Sequence, residues 1–271
     1  MSRIPSAWFV REYQRLLQQE SPIQDNDVEA LHHYRVALRR LRVLLRAFRK
    51  PLADTPARTL ETRLHRLSKA LGPARDADIR LQHFEQTLRA LPMGQALLEN
   101  QRFQQREERK RVKRLLKSAS HRCLMRDVGH FLSGTLPIAM AAVNTSAWHR
   151  QAVKSLDKLL EQVLERGGKE PCLAPQPLHY LRIACRRARY LTEFFTWLGP
   201  DIRLLATRLK AAQDVLGTLH DLDVQIAYWR RQPAAAPELL RFLKARRRQA
   251  ERRMPGAWKK LLVPTQRRLQ R

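Results

Sequence analysis

A row of one histidine and three arginines occurs twice in this chain with the same spacing. In both copies the basic residues follow one another at intervals of three, four and three, and equivalent residues lie 147 positions apart. The rows are His32, Arg35, Arg39 and Arg42, continued by Arg46, and His179, Arg182, Arg186 and Arg189. These groups are suited to holding an anion, because arginine donates paired hydrogen bonds to phosphate oxygens.

Intervals of three and four place each row along one face of an α-helix. Apolar residues run along both sides of the face, such as Leu31 and Leu38 on one side and Val36 on the other. A solvated helix face usually mixes charges of both signs and lies opposite the apolar stripe. Because like charges one turn apart repel, we predict that each row lines a groove that holds an anion.

A second repeated block follows each row and predicts how the chain is organised. LGPARDADI at 71–79 and LGTLHDLDV at 216–224 have equivalent positions 145 residues apart. Two blocks repeated in the same order indicate two copies of one helical unit. We predict an all-α protein with one half at residues 1–133 and the other at 134–271, each a bundle of about four helices.

Helical periodicity predicts where several elements begin and end. It indicates one helix over 93–122 and two separate helices over 201–216 and 221–232. The apolar run 132–143 contains a glycine and a proline and is interpreted as a linker or a buried connection, whereas 167–177 is predicted to be a loop.

The net charge restricts the class of partner. The chain carries 53 Lys and Arg against 25 Asp and Glu, a net charge of +28, with a sequence pI near 11.4. This favours a polyanion: nucleic acid, an anionic membrane surface or polyphosphate. Three cysteines without CxxC spacing favour a reducing compartment, and neither a signal peptide nor a spanning segment is evident. We expect a cytoplasmic protein.

Catalytic and metal-binding motifs are missing from the sequence. There is no P-loop and no HxxxH or HExxH pair, and the histidine of each row is followed three positions later by an arginine, which would repel a metal cation. The paired carboxylates Asp76 and Asp78, like Asp221 and Asp223, are interpreted as helix caps or as partners of arginines such as Arg40 and Arg187. We therefore predict no enzymatic activity, no metal site and no cofactor.

Nucleic acid is the alternative partner. Proteins that bind single strands interleave aromatic and basic residues for base stacking, but aromatic residues make up only 7% of this chain. A narrow basic channel would also exclude a duplex by size. Nucleic acid is therefore predicted only as a weak competitor, and membrane binding is not predicted.

The two blocks together resemble the CHAD family, the conserved histidine α-helical domain. Its pattern is H-x-x-R-V-x-x-R-R-x-R followed by L-G-x-x-R-D-x-D, and it runs from His32 to Asp78 and again from His179 to Asp223. The resemblance covers essentially the whole chain. It implies two helical bundles around a basic central pore, binding of inorganic polyphosphate and association with polyphosphate granules.

Two residues of the second copy depart from this pattern. Glu193 occupies the position of Arg46, and His220 replaces the expected arginine, which predicts that the first half binds more strongly. We predict a protein that binds inorganic polyphosphate in a channel without transforming it. The second helices are expected to add four contacts: Lys69, Arg75, Lys210 and His220.

Overall fold

The computed structural model describes residues 6–88, 94–231 and 237–270. Every regular element within these ranges is helical, which confirms the all-α class. The chain divides into two compact units, residues 1–151 and 152–271. The boundary between residues 133 and 134 and the pseudo-symmetry of the two halves, both inferred from the repeat, stay predictions.

The helices are as follows. The first part of the chain contains α1 (Ser6–Gln24), α2 (Val28–Ala47), α3 (Ala57–Ala70), α4 (Gly72–Leu88), α5 (Gly94–Leu116), α6 (Ala119–His130), a π-helical turn (Phe131–Thr135) and α7 (Leu136–Ala142). The second contains α8 (Thr145–Gly167), α9 (Pro175–Phe194), a short 3₁₀ turn (Thr196–Leu198), α10 (Pro200–Trp229), α11 (Pro237–Glu251) and α12 (Met254–Leu269).

Helix α2, which carries the first basic row, is oriented by its apolar stripe. Asp27 caps the helix, and its carboxylate accepts hydrogen bonds from the backbone N–H groups of Glu29 and Ala30. The stripe packs against α1 and α3, and its members are at most 3% exposed: Leu31, Tyr34, Leu38, Leu41 and Leu45. Since burying each such side chain contributes about 1.5–3 kcal/mol, the stripe determines which way α2 faces and leaves the basic row at the edge of the core.

Helix α9 positions the second basic row in the same manner. Its buried stripe is at most 1% exposed and comprises Leu178, Leu181, Cys185 and Ala188. This stripe packs against α10, and burial raises the pKa of the Cys185 thiol to about 12. The helix begins at Pro175, where the missing N–H of proline leaves no helical hydrogen bond unmade.

Helix α10 is one continuous helix, so the prediction of two helices was wrong. Gly217 is helical, and its cost of about 1 kcal/mol relative to alanine is outweighed by the burial of Leu216 and Leu219, both 0% exposed. Asp221 and Asp223 therefore lie within a helix. Because α4 already begins at Gly72, none of the four paired aspartates caps a helix as predicted.

Two other segments differ from the sequence-based expectation. The run 132–143 is largely helical, because Leu136 and Met140 are buried and Pro137 lies in the first turn of α7. The predicted helix over 93–122 is interrupted at Ser118, whose hydroxyl accepts a hydrogen bond from the His121 N–H and caps α6. The predicted loop after α8 is confirmed over residues 168–174.

A buried carboxylate fixes α1 against α2. Glu12 is 0% exposed, and its Oε1 lies 2.8 Å from Arg15 Nη1 and 3.2 Å from Arg40 Nε. Glu12 of α1 therefore pairs with Arg40 of α2, and the expected pairing of Arg40 with Asp76 stays a prediction. Removing one partner of such a pair leaves a buried charge at a cost of several kcal/mol, so the contact stabilises the packing of α1 on α2.

Replacing Gly167 with alanine should destabilise the second unit. A Cβ at this position would lie 2.1 Å from two ring atoms of Trp258, and the indole is held by a hydrogen bond from its Nε1 to the Gly168 carbonyl. We expect Gly167→Ala to lower the free energy of unfolding by about 1–3 kcal/mol, measured by urea denaturation.

Gly256→Ala is the matched control, since a Cβ there meets no atom within 4 Å. This substitution on α12 should leave stability unchanged or raise it by up to about 1 kcal/mol. Equal effects of the two substitutions would contradict the packing of Trp258 on Gly167.

Candidate functional site

Four cationic side chains of the first unit lie close together at the edge of its core. His32, Arg35 and Arg39 come from α2 and Arg75 from α4, and all four are partly buried. The pKa of His32 is lowered by burial and by the positive charges of Arg75 and Arg39. The nearest acid to Arg75 is the largely exposed Glu29, at 4.0 Å. We call these four residues the first basic cluster.

Arg35 is the most constrained member of the first basic cluster. Its Nη1 donates to the carbonyl of Ser68 at 3.0 Å, near the C-terminal end of α3, where helix carbonyls carry partial negative charge. Burial, followed by the charge of Arg39, lowers the pKa of Arg35 to about 10, partly offset by Asp76. Among the described residues, the buried Nε atoms of Arg35, Arg39 and Arg75 have no hydrogen-bond acceptor, so the cluster has more donors than acceptors.

The last two arginines of the first row share one carboxylate. Arg42 Nε and Arg46 Nε each lie 2.9 Å from Glu61 Oε1. Burial lowers the pKa of Arg42, although Glu61 opposes this effect. Because two guanidinium groups face one carboxylate, this end of the row keeps a net positive charge.

Helix α3 adds a histidine that the sequence analysis missed. The pKa of His65 is lowered by burial and by the charges of Arg42 and Lys69, so it lies within the same positive field. Lys69, a predicted contact, is exposed one turn further along α3. The repeat could have identified His65. Equivalent positions of the second repeated block lie 145 residues apart, and by this offset His65 corresponds to the predicted contact Lys210.

The second unit gathers an equivalent set of side chains on α9 and α10. His179, Arg182 and Arg186 project from α9, and His220 of α10 lies with its ring centroid 5.2 Å from that of His179. Burial, Arg182 and His179 together lower the pKa of His220 to about 4. The pKa of His179 is also lowered, by burial and by Arg182 and Arg186. We call these four residues the second basic cluster.

Arg189 is held by neighbouring acceptors within the second unit. Its Nη1 donates to Glu193 and its Nε to Gln213, both at 2.8 Å. Glu193 thus pairs with Arg189 of its own helix, whereas Glu61 of α3 pairs with two arginines of α2. Lys210 is exposed on α10, and its role as a contact stays a prediction.

Two aspartates of the second repeated block bind arginines that lie outside the basic rows. Asp78 accepts from Arg109 of α5, with Nε 2.9 Å from Oδ1 and Nη2 3.2 Å from Oδ2. Asp223 accepts two hydrogen bonds from Arg247 of α11 in the same manner. Neither Arg109 nor Arg247 stands out in the sequence, because each lies in a densely charged segment without a one-sided basic row.

The side chains of each cluster are chemically suited to a multiply charged anion. Arginine forks and imidazoles present many donors, and desolvation at the edge of the core strengthens their attraction to negative charge. Among the described residues, no group of three or more His, Cys, Asp and Glu side chains is arranged to hold a metal ion. Within the same ranges, no helix has the length and apolar character required to cross a bilayer.

Acidification should destabilise the protein through His220. In the unfolded chain the pKa of histidine is about 6.5, whereas in the folded protein that of His220 is about 4. The unfolded chain therefore binds more protons between these values, so the free energy of unfolding falls as pH decreases through this window. We measure the free energy of unfolding by urea denaturation at pH 7.5 and at pH 5. Its decrease between these pH values should be smaller for His220→Asn than for the unsubstituted protein.

His149→Asn is the control for this measurement, because His149 is exposed on α8. This variant should lose as much stability on acidification as the unsubstituted protein. If His220→Asn behaves in the same way, the buried position of His220 does not govern the pH dependence.

Comparison with known proteins supports the fold and the family. The CHAD domain model matches residues 9–230. The fold is similar to the crystal structure of the CHAD domain from the plant Ricinus communis, with 26% identity, a TM-score of 0.70 and coverage of 96% of this chain and 90% of that chain. It is also similar to PptA from Streptomyces chartreusis, with 19% identity, a TM-score of 0.67 and coverage of 96% and 97%. No curated protein matches. Since the family model spans most of its length, this chain belongs to the CHAD domain family.

Proposed function

We propose that this protein binds inorganic polyphosphate through its two basic clusters and does not transform it. The observation that carries the proposal is the excess of donors in the first basic cluster, where the buried Nε atoms of Arg35, Arg39 and Arg75 meet no hydrogen-bond acceptor among the described residues. Membership of the CHAD family supports the same ligand. A linear chain of phosphates has the dense, closely spaced charge that such clusters neutralise best.

The composition of the rows favours polyphosphate over nucleic acid. The rows contain no aromatic residue on which a base could stack, whereas bidentate arginine contacts suit phosphate oxygens. The net charge of +28 also attracts RNA and DNA, because cations such as Arg106 and Lys110 are exposed on α5. Nucleic acid is therefore the second candidate, bound nonspecifically by the general positive field.

A competition titration tests the choice of ligand. Labelled long-chain polyphosphate is bound near physiological salt and challenged with single-stranded RNA and with duplex DNA at matched phosphate concentration. Retention of polyphosphate against a large excess of both supports the proposal. Displacement at equal phosphate concentration overturns it in favour of nonspecific binding.

Binding without turnover is part of the proposal. Phosphoryl transfer would use carboxylates to hold Mg²⁺, but Asp78 and Asp223 are occupied by arginines. Phosphate release from polyphosphate in the presence of Mg²⁺, lost on substitution of Asp76 or Asp221, would contradict this part. We further propose that binding directs the protein to polyphosphate granules, and imaging of a tagged protein in cells with and without granules tests this localisation.

Loss of one arginine from each cluster should weaken binding strongly. Arg35→Ala combined with Arg182→Ala is expected to lower polyphosphate affinity at least about tenfold, because a hydrogen bond to a charged group contributes on the order of 1.5–3 kcal/mol. The control removes two exposed arginines, by Arg106→Ala with Arg248→Ala, and loses the same charge. Circular dichroism verifies that helix content is kept. Equal affinities of the two double variants would show that the clusters are not the site.

Glu193→Arg should strengthen binding. Glu193 holds Arg189 at 2.8 Å and occupies the position of Arg46 in the first row. Its replacement by arginine frees Arg189 Nη1 from this contact and adds a cation. Glu193→Gln frees the same nitrogen without adding a cation, so its gain in polyphosphate affinity should be smaller. Glu165→Arg on the exposed face of α8 is the control for net charge. A gain from Glu165→Arg as large as that from Glu193→Arg would contradict a local role.

A further inference from the structure

One carboxylate in each unit is bound by an arginine from a helix outside the repeated blocks. Arg109 of α5 donates from two nitrogens to the two oxygens of Asp78, and Arg247 of α11 does the same to Asp223. These contacts are largely shielded from solvent, since the Asp78 side chain is 0% and the Arg109 side chain 11% exposed. Bidentate pairing in partial burial is among the stronger forms of ion pair.

The same two arginines also reach the turn that precedes each basic helix. Arg109 Nη1 donates to the carbonyl of Asn26, and Arg247 Nη2 donates to the carbonyl of Leu173 at 2.6 Å. Asn26 and Leu173 lie 147 positions apart, the separation that also relates the two rows. Each arginine therefore links the helix carrying the aspartate to the start of the helix carrying the row. Helices α5 and α11 differ in composition, yet each supplies an arginine that makes two contacts with an aspartate and one with a backbone carbonyl. This agreement argues against coincidence.

The position of the aspartates explains why this arrangement matters for charge. Asp78 is one helical turn after Arg75, and Asp223 is one turn after His220. A carboxylate three positions along a helix is a natural partner for a cation. Burial and the charge of Arg182 lower the pKa of His220, and Asp223 is close enough to oppose this effect. An aspartate without its arginine could turn towards the basic cluster and compete with a bound anion.

We propose that Arg109 and Arg247 are positioning residues that keep Asp78 and Asp223 from competing with the bound anion for the basic clusters. This inference rests on the proposed function, because it concerns how the same clusters stay available to polyphosphate. Neither arginine contacts the anion. Each acts by neutralising a carboxylate next to the cluster.

Polyphosphate titrations of single and paired variants test the inference. Arg247→Gln is expected to weaken binding about three- to fivefold, the scale of one partly exposed ion pair. Arg248→Gln, an exposed neighbour on α11 with the same loss of charge, is the matched control and should have a smaller effect. Arg247→Gln combined with Asp223→Asn should recover affinity to the level of the control, because the competing carboxylate is then neutral.

A second readout separates electrostatic positioning from packing alone. The pKa of His220, followed by NMR, should rise in Arg247→Gln and return in the double variant. The groups facing His220 are His179, Arg182 and Arg186 of α9 and Asp223 of its own helix. If Arg247 had only a structural role, Arg247→Gln with Asp223→Asn would bind polyphosphate as weakly as Arg247→Gln alone. This result would overturn the inference.

The first unit supplies an independent version of the experiment if Arg247→Gln does not fold. Arg109→Gln, its Asp78→Asn combination and the exposed control Arg106→Gln repeat the series on α5, with circular dichroism on each variant. If the unsubstituted protein does not bind polyphosphate, the proposed function fails. If it binds but Arg109→Gln or Arg247→Gln equals its control, only this further inference fails.

Discussion

Repulsion among partly desolvated cations is the constraint on which this structure depends. The apolar stripes of α2 and α9 are buried so completely that the adjoining basic rows are drawn to the edge of the core. There, burial and neighbouring arginines lower the pKa of His32, His179 and His220 together. Packing of the stripes offsets the repulsion in the free protein, and a polyanion would remove it. A phosphate beside these histidines would favour their protonated forms, so the proposed binding would be coupled to proton uptake.

The carboxylates of the protein are distributed so that the repulsion is only partly relieved. Glu12 holds Arg40 to α1, Glu61 serves two arginines at the far end of the first row, and Asp78 is bound by Arg109. None of these acids neutralises the first basic cluster. The second unit differs, because Glu193 engages Arg189 and a histidine replaces the arginine of the first unit. The basic clusters of the two units thus differ in charge at neutral pH, because burial and Arg182 keep the pKa of His220 low.

Much of the site could be predicted from the sequence because it depends on spacing along single helices. The intervals of three and four place His32, Arg35 and Arg39 on one face whatever surrounds the helix. The repeat then identified Arg75 and His220 as members of the neighbouring helices. Prediction failed where an element depends on its neighbours: α10 continues through Gly217 because Leu216 and Leu219 on both sides are buried, and this packing outweighs the local tendency of glycine to end a helix.

The sequence by itself determined the helical class, the two basic rows and the excess of positive charge, since periodicity and composition act locally along the chain. Only the tertiary structure decided which cation meets which carboxylate. Arg109 and Asp78 are 31 residues apart, and Arg247 and Asp223 are 24 apart, so their pairing depends on how helices pack. For the same reason, Arg40 of α2 lies against Glu12 of α1, 28 positions before it in the chain. Ion-pair partners are selected by proximity after packing, and spacing along the chain does not encode that proximity.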